Sequence, residues 1–260
     1  MVKLKLINCL GVLYFLVVGV AFANCGIHWS WFILGVFVWI GLLAWGSFDI
    51  RQNIFVQAIS SSKNETNKRI AITFDDGPTL FTPHVLALLK SYQAKATFFC
   101  IGKQVEQFPH LLQQIHSEGH CIGNHTYTHT HKMGFLSATE VLEEIQLADS
   151  AIQKVIGKQP LYFRPPFGVT NPNISKALKQ THYKVIGWNI RSLDTVIAEE
   201  ERIFERIKKK IKPGAIILLH DTTDKTVAVL ALLLDYLKQQ GYEMVSINEL
   251  LNSSSYEKDA

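Results

Sequence analysis

Hydrophobic and polar positions divide this chain into two unlike parts. Residues 6–23 are uncharged and mostly apolar, and residues 29–48 are so again. Each run of about 18–20 residues is long enough, as a helix, to cross a hydrocarbon core of about 30 Å. Only Asn24-Cys25-Gly26-Ile27-His28 separates them, the length of a tight hairpin. Trp29, Trp31 and Trp45 stand near the ends of the second run, where indole rings suit a membrane interface. The pattern predicts a two-helix membrane anchor over residues 1–48. A signal peptide cut after Ala21-Phe22-Ala23, leaving one anchor helix, is the alternative. Lys3 and Lys5 favour a cytoplasmic N-terminus, while the side on which the remaining chain lies stays open.

The rest of the chain alternates. Residues 49–68 read as a linker, polar from 59 to 67, and 252–260 as a flexible tail. Between them, over 69–251, apolar and β-branched runs recur at 70–74, 96–101, 121–122, 161–163, 184–188, 215–219 and 242–247. Amphipathic helical stretches separate these runs. Thr82-Pro83 has the form of a helix start, and Ser137 with Glu140 has the spacing of a capping box. Gly119, Gly157 and Gly241 stand where helices should stop. Seven such βα units predict a parallel α/β sheet closed into a barrel, with its chemistry in loops at the C-terminal strand ends.

Composition narrows the function classes. Of 260 residues 48% are hydrophobic and 18% charged, which excludes a disordered or collagen-like chain. The mean hydropathy of +0.12 is high for a soluble enzyme, and residues 1–48 carry most of the excess. A net charge of +4 is too weak to argue for nucleic acid. The densest basic stretch, Lys208-Lys209-Lys210 with Lys212, closes a helical pattern over 199–211 and reads as a solvated helix face. The four cysteines form no CxxC pair, so a zinc ribbon is disfavoured, and Cys100 and Cys121 read as buried free thiols.

Polar clusters follow the strand patterns closely. Asp75-Asp76 after the first are adjacent carboxylates that point to different sides, so one can bind a metal while its neighbour faces substrate; solvated acids in an Asp-Gly turn are the alternative. After the third, His125 and His129 have the i, i+4 spacing that lets one helical turn present two imidazoles to one ion, a surface His pair being the bland reading; His131 is out of phase. Two His and one Asp leave a position open for water, as in a catalytic site. After the fourth strand, Arg164-Pro165-Pro166-Phe167-Gly168 is a rigid turn whose Arg can hold a carboxylate bidentately. Asp194 follows the fifth, and Leu218-Leu219-His220-Asp221 ends the sixth, where a His with a carboxylate partner is a fair general acid. Each cluster is weak alone; their joint occurrence at successive strand ends is not.

The strings TFDDGP (73–78), HTYTH (125–129), RPPFG (164–168) and LLHD (218–221) stand in the order and spacing of the NodB-like polysaccharide deacetylases, carbohydrate esterase family four. Residues 82–102 resemble that family too, and the resemblance covers about 69–250, not the membrane segments. It implies a distorted (β/α)7 barrel and a hydrolase acting on carbon–nitrogen bonds other than peptide bonds. The reaction would be metal-dependent removal of acetyl groups from sugars. It further implies that Asp76, His125 and His129 hold a divalent metal, zinc before cobalt or another ion. Asp75 would take the proton of metal-bound water. His220 would protonate the leaving amine, with Asp194 tuning its pKa. Arg164 would position Asp75, the Phe167 N–H would stabilise the oxyanion, and Leu218 would line the pocket for the acetyl methyl.

Two departures bear on substrate choice. The family usually has Asp-Trp where this chain has Asp194-Thr195, so one sugar-stacking wall is lost, and Arg191 stands where an acid is frequent. The expected partners are an N-acetylated glycan and a membrane, with no nucleic acid. Rival readings are an O-acetyl esterase of xylan type, and a catalytically silent glycan-binding protein tethered to the membrane.

Overall fold

The computed structural model describes residues 2–256. Two helices come first, α1 (Val2–Cys25) and α2 (Ser30–Phe48), packed antiparallel as a hairpin. Small residues let the two backbones approach: a Cβ on Gly35 would stand 2.2 Å from the Tyr14 ring, and Gly11 lies against Trp39. Tyr14 donates to the Trp31 carbonyl at 2.8 Å, and Trp39 Nε1 donates to Asn8 Oδ1 at 3.3 Å. Most other apolar side chains of the two helices are exposed, although Val18 is buried and Leu4, Ile7 and Leu43 pack against the core of the body. Both helices are long and apolar enough to cross a membrane.

The catalytic-size body follows as nine parallel strands: β1 (Ala58–Ile59), β2 (Arg69–Asp75), β3 (Thr97–Cys100), β4 (Cys121–Asn124), β5 (Tyr162–Phe163), β6 (Lys184–Ile186), β7 (Ile190–Arg191), β8 (Ile216–His220) and β9 (Glu243–Val245). They run in the order β1-β6-β5-β4-β3-β2-β8-β7, with β9 added beside β2. The helices are α3 (Thr82–Ser91), α4 (Gly102–Gln107), α5 (Pro109–Ser117), α6 (Ala138–Ile156), α7 (Pro172–Leu178), α8 (Glu200–Lys208), α9 (Asp224–Gln239) and α10 (Ile247–Leu250). The expected capping box at Ser137 and Glu140 is formed at α6, and Gly157 ends that helix in a left-handed conformation.

The sheet is curled but open, its path running from β1 to β7 without pairing those ends, a half-barrel where the sequence predicted closure. In β2, Ile70, Ile72 and Phe74 pack outward against Val85, Leu86 and Leu89 of α3 and Leu230, Leu233 and Leu234 of α9. Ala71 faces inward with Phe99, Phe163, Ile186, Ile216 and Leu218. Both faces of the central strands are therefore dry, as a parallel sheet requires. The Cys100 and Cys121 thiols are buried and unbridged, as read from the sequence.

Three further expectations need correction. The stretch expected as a linker, 49–68, is largely built into the body. Ile50, Ile54, Phe55, Val56 and Ala58 are buried, β1 pairs with β6, and Ser61 bridges Ala215. The signal was missed because Ile54, Phe55 and Val56 form too short an apolar run to stand out beside the polar residues that follow. The tail docks as far as Tyr256, which bridges Pro160, while Tyr162 Oη pairs with Ser253 Oγ at 2.7 Å; residues 257–260 lie outside the described residues. The helical pattern over 199–211 is a helix only over Glu200–Lys208.

Candidate active site

Each site residue stands at or just past the C-terminal end of a strand. In the β2–β8 ladder Asp75 is opposite His220, so their side chains leave neighbouring strands on the same face. Asp75, Asp76, His125, His129, Phe167, Leu218 and His220 line one cleft of about 310 Å³, with His131, Trp188, Arg191 and Thr195 on its walls. Arg164 and Asp194 are fully buried behind it.

Asp76 turns into the left-handed region with φ 74°, yet the two carboxylates do not diverge as expected: each has an oxygen facing His125 Nε2. Asp75 Oδ1 accepts from Arg164 Nη1 at 2.7 Å, and its Oδ2 faces His125 Nε2 at 3.7 Å. The expected bidentate pairing is absent. Arg164 instead spreads its donors over Asp75, Thr73 Oγ1 and the carbonyls of Ile186 and Gly187, with its guanidinium over the Phe99 ring. Every one of those acceptors is interior, so the Arg is locked and the carboxylate with it.

Asp76 Oδ1 lies 3.5 Å from His125 Nε2 and 3.3 Å from His129 Nε2. The three candidate ligand atoms fall within 4.8 Å of one another. Asp76 Oδ1 is also buried without a hydrogen-bond partner, an orphaned acceptor aimed into that triangle. His125 Nδ1 is 2.6 Å from the Arg164 carbonyl, which can only accept; the proton is therefore on Nδ1, and the Nε2 lone pair faces Asp76. Burial would raise the Asp76 carboxyl, but its electrostatic interaction with His125, and then with His129, holds it well below the usual range. Burial, with the neighbouring His125, pushes His129 down to about 4, so it is a neutral imidazole at pH 7. Two imidazoles and one carboxylate fit a borderline divalent ion such as zinc.

The two histidines reach this geometry by a route the spacing did not indicate. Residues 125–129 form no helical turn; they are a loop with left-handed backbones at Thr126 (φ 67°) and His129 (φ 50°). A β-branched residue there is strained. The loop is held by Asn124 Oδ1, which accepts from the Thr126 N–H, and by Glu144, whose carboxylate accepts from the Tyr127 and Thr128 N–H groups and the Thr128 hydroxyl.

Across the cleft, Asp194 Oδ1 accepts from His220 Nδ1 at 2.8 Å, and its Oδ2 accepts the His220 N–H and the Thr226 hydroxyl. That leaves the Nε2 atom of His220 for the cleft. Burial opposes charge on this imidazole, but the hydrogen bond and attraction of Asp194, helped by Asp75 and Asp76, outweigh it and raise His220 to about 9. The carboxylate partner is thus Asp194; the adjacent Asp221 turns away and takes a hydrogen bond from Thr82. Burial raises Asp221 to about 7.

Phe167 sits at φ 59° between Pro166 and Gly168, its ring against His129 and His131. Its N–H has no protein acceptor among the described residues, whereas Gly168 and Val169 donate to Pro165 and Pro166. The sequence did not single out Trp188 as a wall. Its indole is nearly buried and packs so close to Gly168 that a Cβ there would lie 2.4 Å away, a contact invisible until β5 and β6 are paired. Thr195, where a Trp was expected in the family, is exposed.

Comparison with known proteins accounts for this arrangement. Residues 62–186 match the polysaccharide deacetylase family model. A peptidoglycan-N-acetylglucosamine deacetylase of Bacillus cereus is 43% identical over 190 residues, covering 71% of this chain and 88% of that protein. The chain belongs to the polysaccharide deacetylase family. It is a hydrolase of carbon–nitrogen bonds other than peptide bonds, and its fold is a curled parallel half-barrel. The peptidoglycan-N-acetylmuramic acid deacetylase PdaA of Bacillus subtilis is 33% identical over 193 residues, covering 72% of this chain and 73% of that one. The solved Bc1960 peptidoglycan N-acetylglucosamine deacetylase superposes with a TM-score of 0.71 at 29% identity, over 76% of this chain and 94% of that one.

Proposed function

We propose that this deacetylase hydrolyses the acetamide of N-acetylglucosamine units in a glycan of peptidoglycan type, with zinc held by Asp76, His125 and His129. The observation that carries the reading is the placement of two separately anchored groups on one cleft with that ligand triangle: Asp75 fixed by Arg164, and His220 fixed by Asp194.

The chemistry follows from what an amide needs. Its carbonyl is a poor electrophile and its nitrogen a poor leaving group, so hydrolysis requires a base, carbonyl polarisation and a proton for nitrogen. When bound, the divalent ion supplies Lewis-acid polarisation and lowers the pKa of water towards about 7. Asp75 keeps Oδ2 available to accept the proton of the attacking water while Arg164 fixes Oδ1. The Phe167 N–H donates to the oxygen that gains charge as the water adds. His220, protonated through neutral pH, gives its Nε2 proton to the departing nitrogen. Leu218, nearly buried on the floor, offers an apolar surface for the acetyl methyl. A proton held so tightly supports amide over ester as substrate, since an alkoxide leaves with less help than an amine.

We also infer that α1 and α2 form a membrane hairpin. Their length, their lipid-like exposed faces and their mutual packing support it. N-terminal sequencing of membrane-extracted protein should start at Met1 or Val2; a start at Asn24 would overturn the hairpin.

The test of the reaction uses the full chain in detergent, with acetate measured from matched N-acetylated and O-acetylated sugars. Acetate from N-acetylglucosamine oligomers, reduced at least about 100-fold by Asp75→Asn, is the expected result. Release from O-acetyl xylan alone would replace the substrate, and release unaffected by Asp75→Asn would remove Asp75 from its role.

A further inference from the structure

The end of α2 is capped by the active-site loop. The last carbonyls of any helix lack partners within it. Here the Gly46 carbonyl accepts from the Thr170 hydroxyl at 3.1 Å and the Ser47 carbonyl accepts from the Thr170 N–H at 2.9 Å. Ser47 Oγ then donates back to the Thr170 carbonyl at 2.7 Å. Thr170 is buried, and Ile54 closes the joint so tightly that a Cβ on Gly46 would stand 2.5 Å from it. Thr170 lies three positions after Phe167, at most about 11 Å of chain.

The same joint carries the rim of the cleft. Asn171 Nδ2 donates to the Gly134 carbonyl, and Asn173 Nδ2 to the Leu136 carbonyl, tying the loop 131–136 to the segment capped on α2. That loop holds His131 on the cleft and an exposed Lys132. It also carries Phe135, 91% exposed beside a buried Met133. A phenyl ring so bare, next to a cation and bound to the end of an apolar helix, is out of place in water and suited to a headgroup layer. Lys3 and Lys5 stand on the same side of the hairpin, where Lys3 Nζ donates to the Gln52 carbonyl, and they add the charge that anionic lipid favours.

Resting on the hairpin reading, we propose that loop 131–136 lies against the bilayer that α1 and α2 cross, and that Thr170 fixes the cleft there. The substrate is then an acetylated glycan carried at the membrane surface, not a strand reached by a loose tether. Thr170 is a positioning residue in this arrangement, joining a membrane helix to the loop of Phe167.

The test places one environment-sensitive fluorophore on the full chain in phosphatidylcholine–phosphatidylglycerol vesicles. The attachment is by Phe135→Cys in a Cys9→Ala, Cys25→Ala background, with Lys154→Cys near the far end of α6, about 24 Å along its axis from Ala138, as the control. Headgroup-level quenchers should quench the label at 135 and not at 154. An uncoupled variant, Ser47→Ala with Thr170→Val and a flexible insertion after Phe48, should fall to the control level. Acetate release should favour a lipid-linked N-acetylglucosamine in the same vesicles over the soluble sugar by about tenfold or more, and the uncoupled variant should lose that preference. Equal quenching at the two positions, or a preference unchanged in the uncoupled variant, would overturn the proposal. Quenching at 135 with no acetate from either sugar would instead fail the deacetylase reading and leave the lipid contact standing.

Discussion

At the scale of single residues, three polar groups of the site are held by a second group behind them: Asp75 by Arg164, His125 by the Arg164 carbonyl and His220 by Asp194. The His220–Asp194 pair shows how much depends on the partner. Burial alone would push this imidazole below its ordinary value near 6.5, and Asp194 instead lifts it to about 9. An acid catalyst works while it keeps its proton, so the alkaline limb of kcat should lie near pH 9 in the parent protein. Asp194→Asn removes the main counterweight to burial, leaving only Asp75 and Asp76, and should move that limb down by about two pH units, with a loss of about tenfold at pH 8. A pH–rate profile reads this directly; an unmoved limb would assign the proton to another group. That Asp76, His125 and His129 come together could be anticipated from sequence because they belong to short strings beside strand ends. The partners could not: Glu144 under the His loop and Thr226 behind Asp194 are distant in sequence and ordinary in type. The His loop itself was misjudged as a helical turn, since spacing alone does not reveal left-handed backbones at Thr126 and His129.

At the scale of elements, strand and helix patterns were legible wherever they were long. The alternation in β2 and the apolar run of β8 stand out because both are buried on two faces. Two-residue strands such as β1 and β7 carry no period of their own and exist through pairing with β6 and β8. The edge of the sheet near β1 rests on one backbone position. Gly214 has φ 74° and approaches so close that a Cβ there would stand 2.0 Å from the Ser62 carbonyl oxygen, while its own carbonyl accepts from the Ser62 N–H. Gly214→Ala should therefore strain the turn and push residues 58–62 off the sheet, lowering Tm by about 5 °C or more. A melt within one degree of the parent would show that β1 is not needed for stability.

At the scale of the whole molecule, an apolar helical hairpin and a hydrolase domain meet at a joint of three hydrogen bonds around Thr170. The sequence separates the two parts by composition and says nothing of the joint, because a buried Thr in a loop has no pattern. In the proposed reaction one divalent ion on Asp76, His125 and His129 is needed for Asp75 and His220 to hydrolyse an acetamide. The most direct measurement is acetate release from an N-acetylglucosamine oligomer by metal-stripped full-length protein, titrated with zinc while bound metal is counted. Activity should rise from background to a plateau at one zinc per chain, and His129→Ala should weaken zinc binding at least about 100-fold with a matching loss of rate. Full activity in the stripped protein, or a His129→Ala chain that binds zinc and turns over as the parent does, would contradict the assignment.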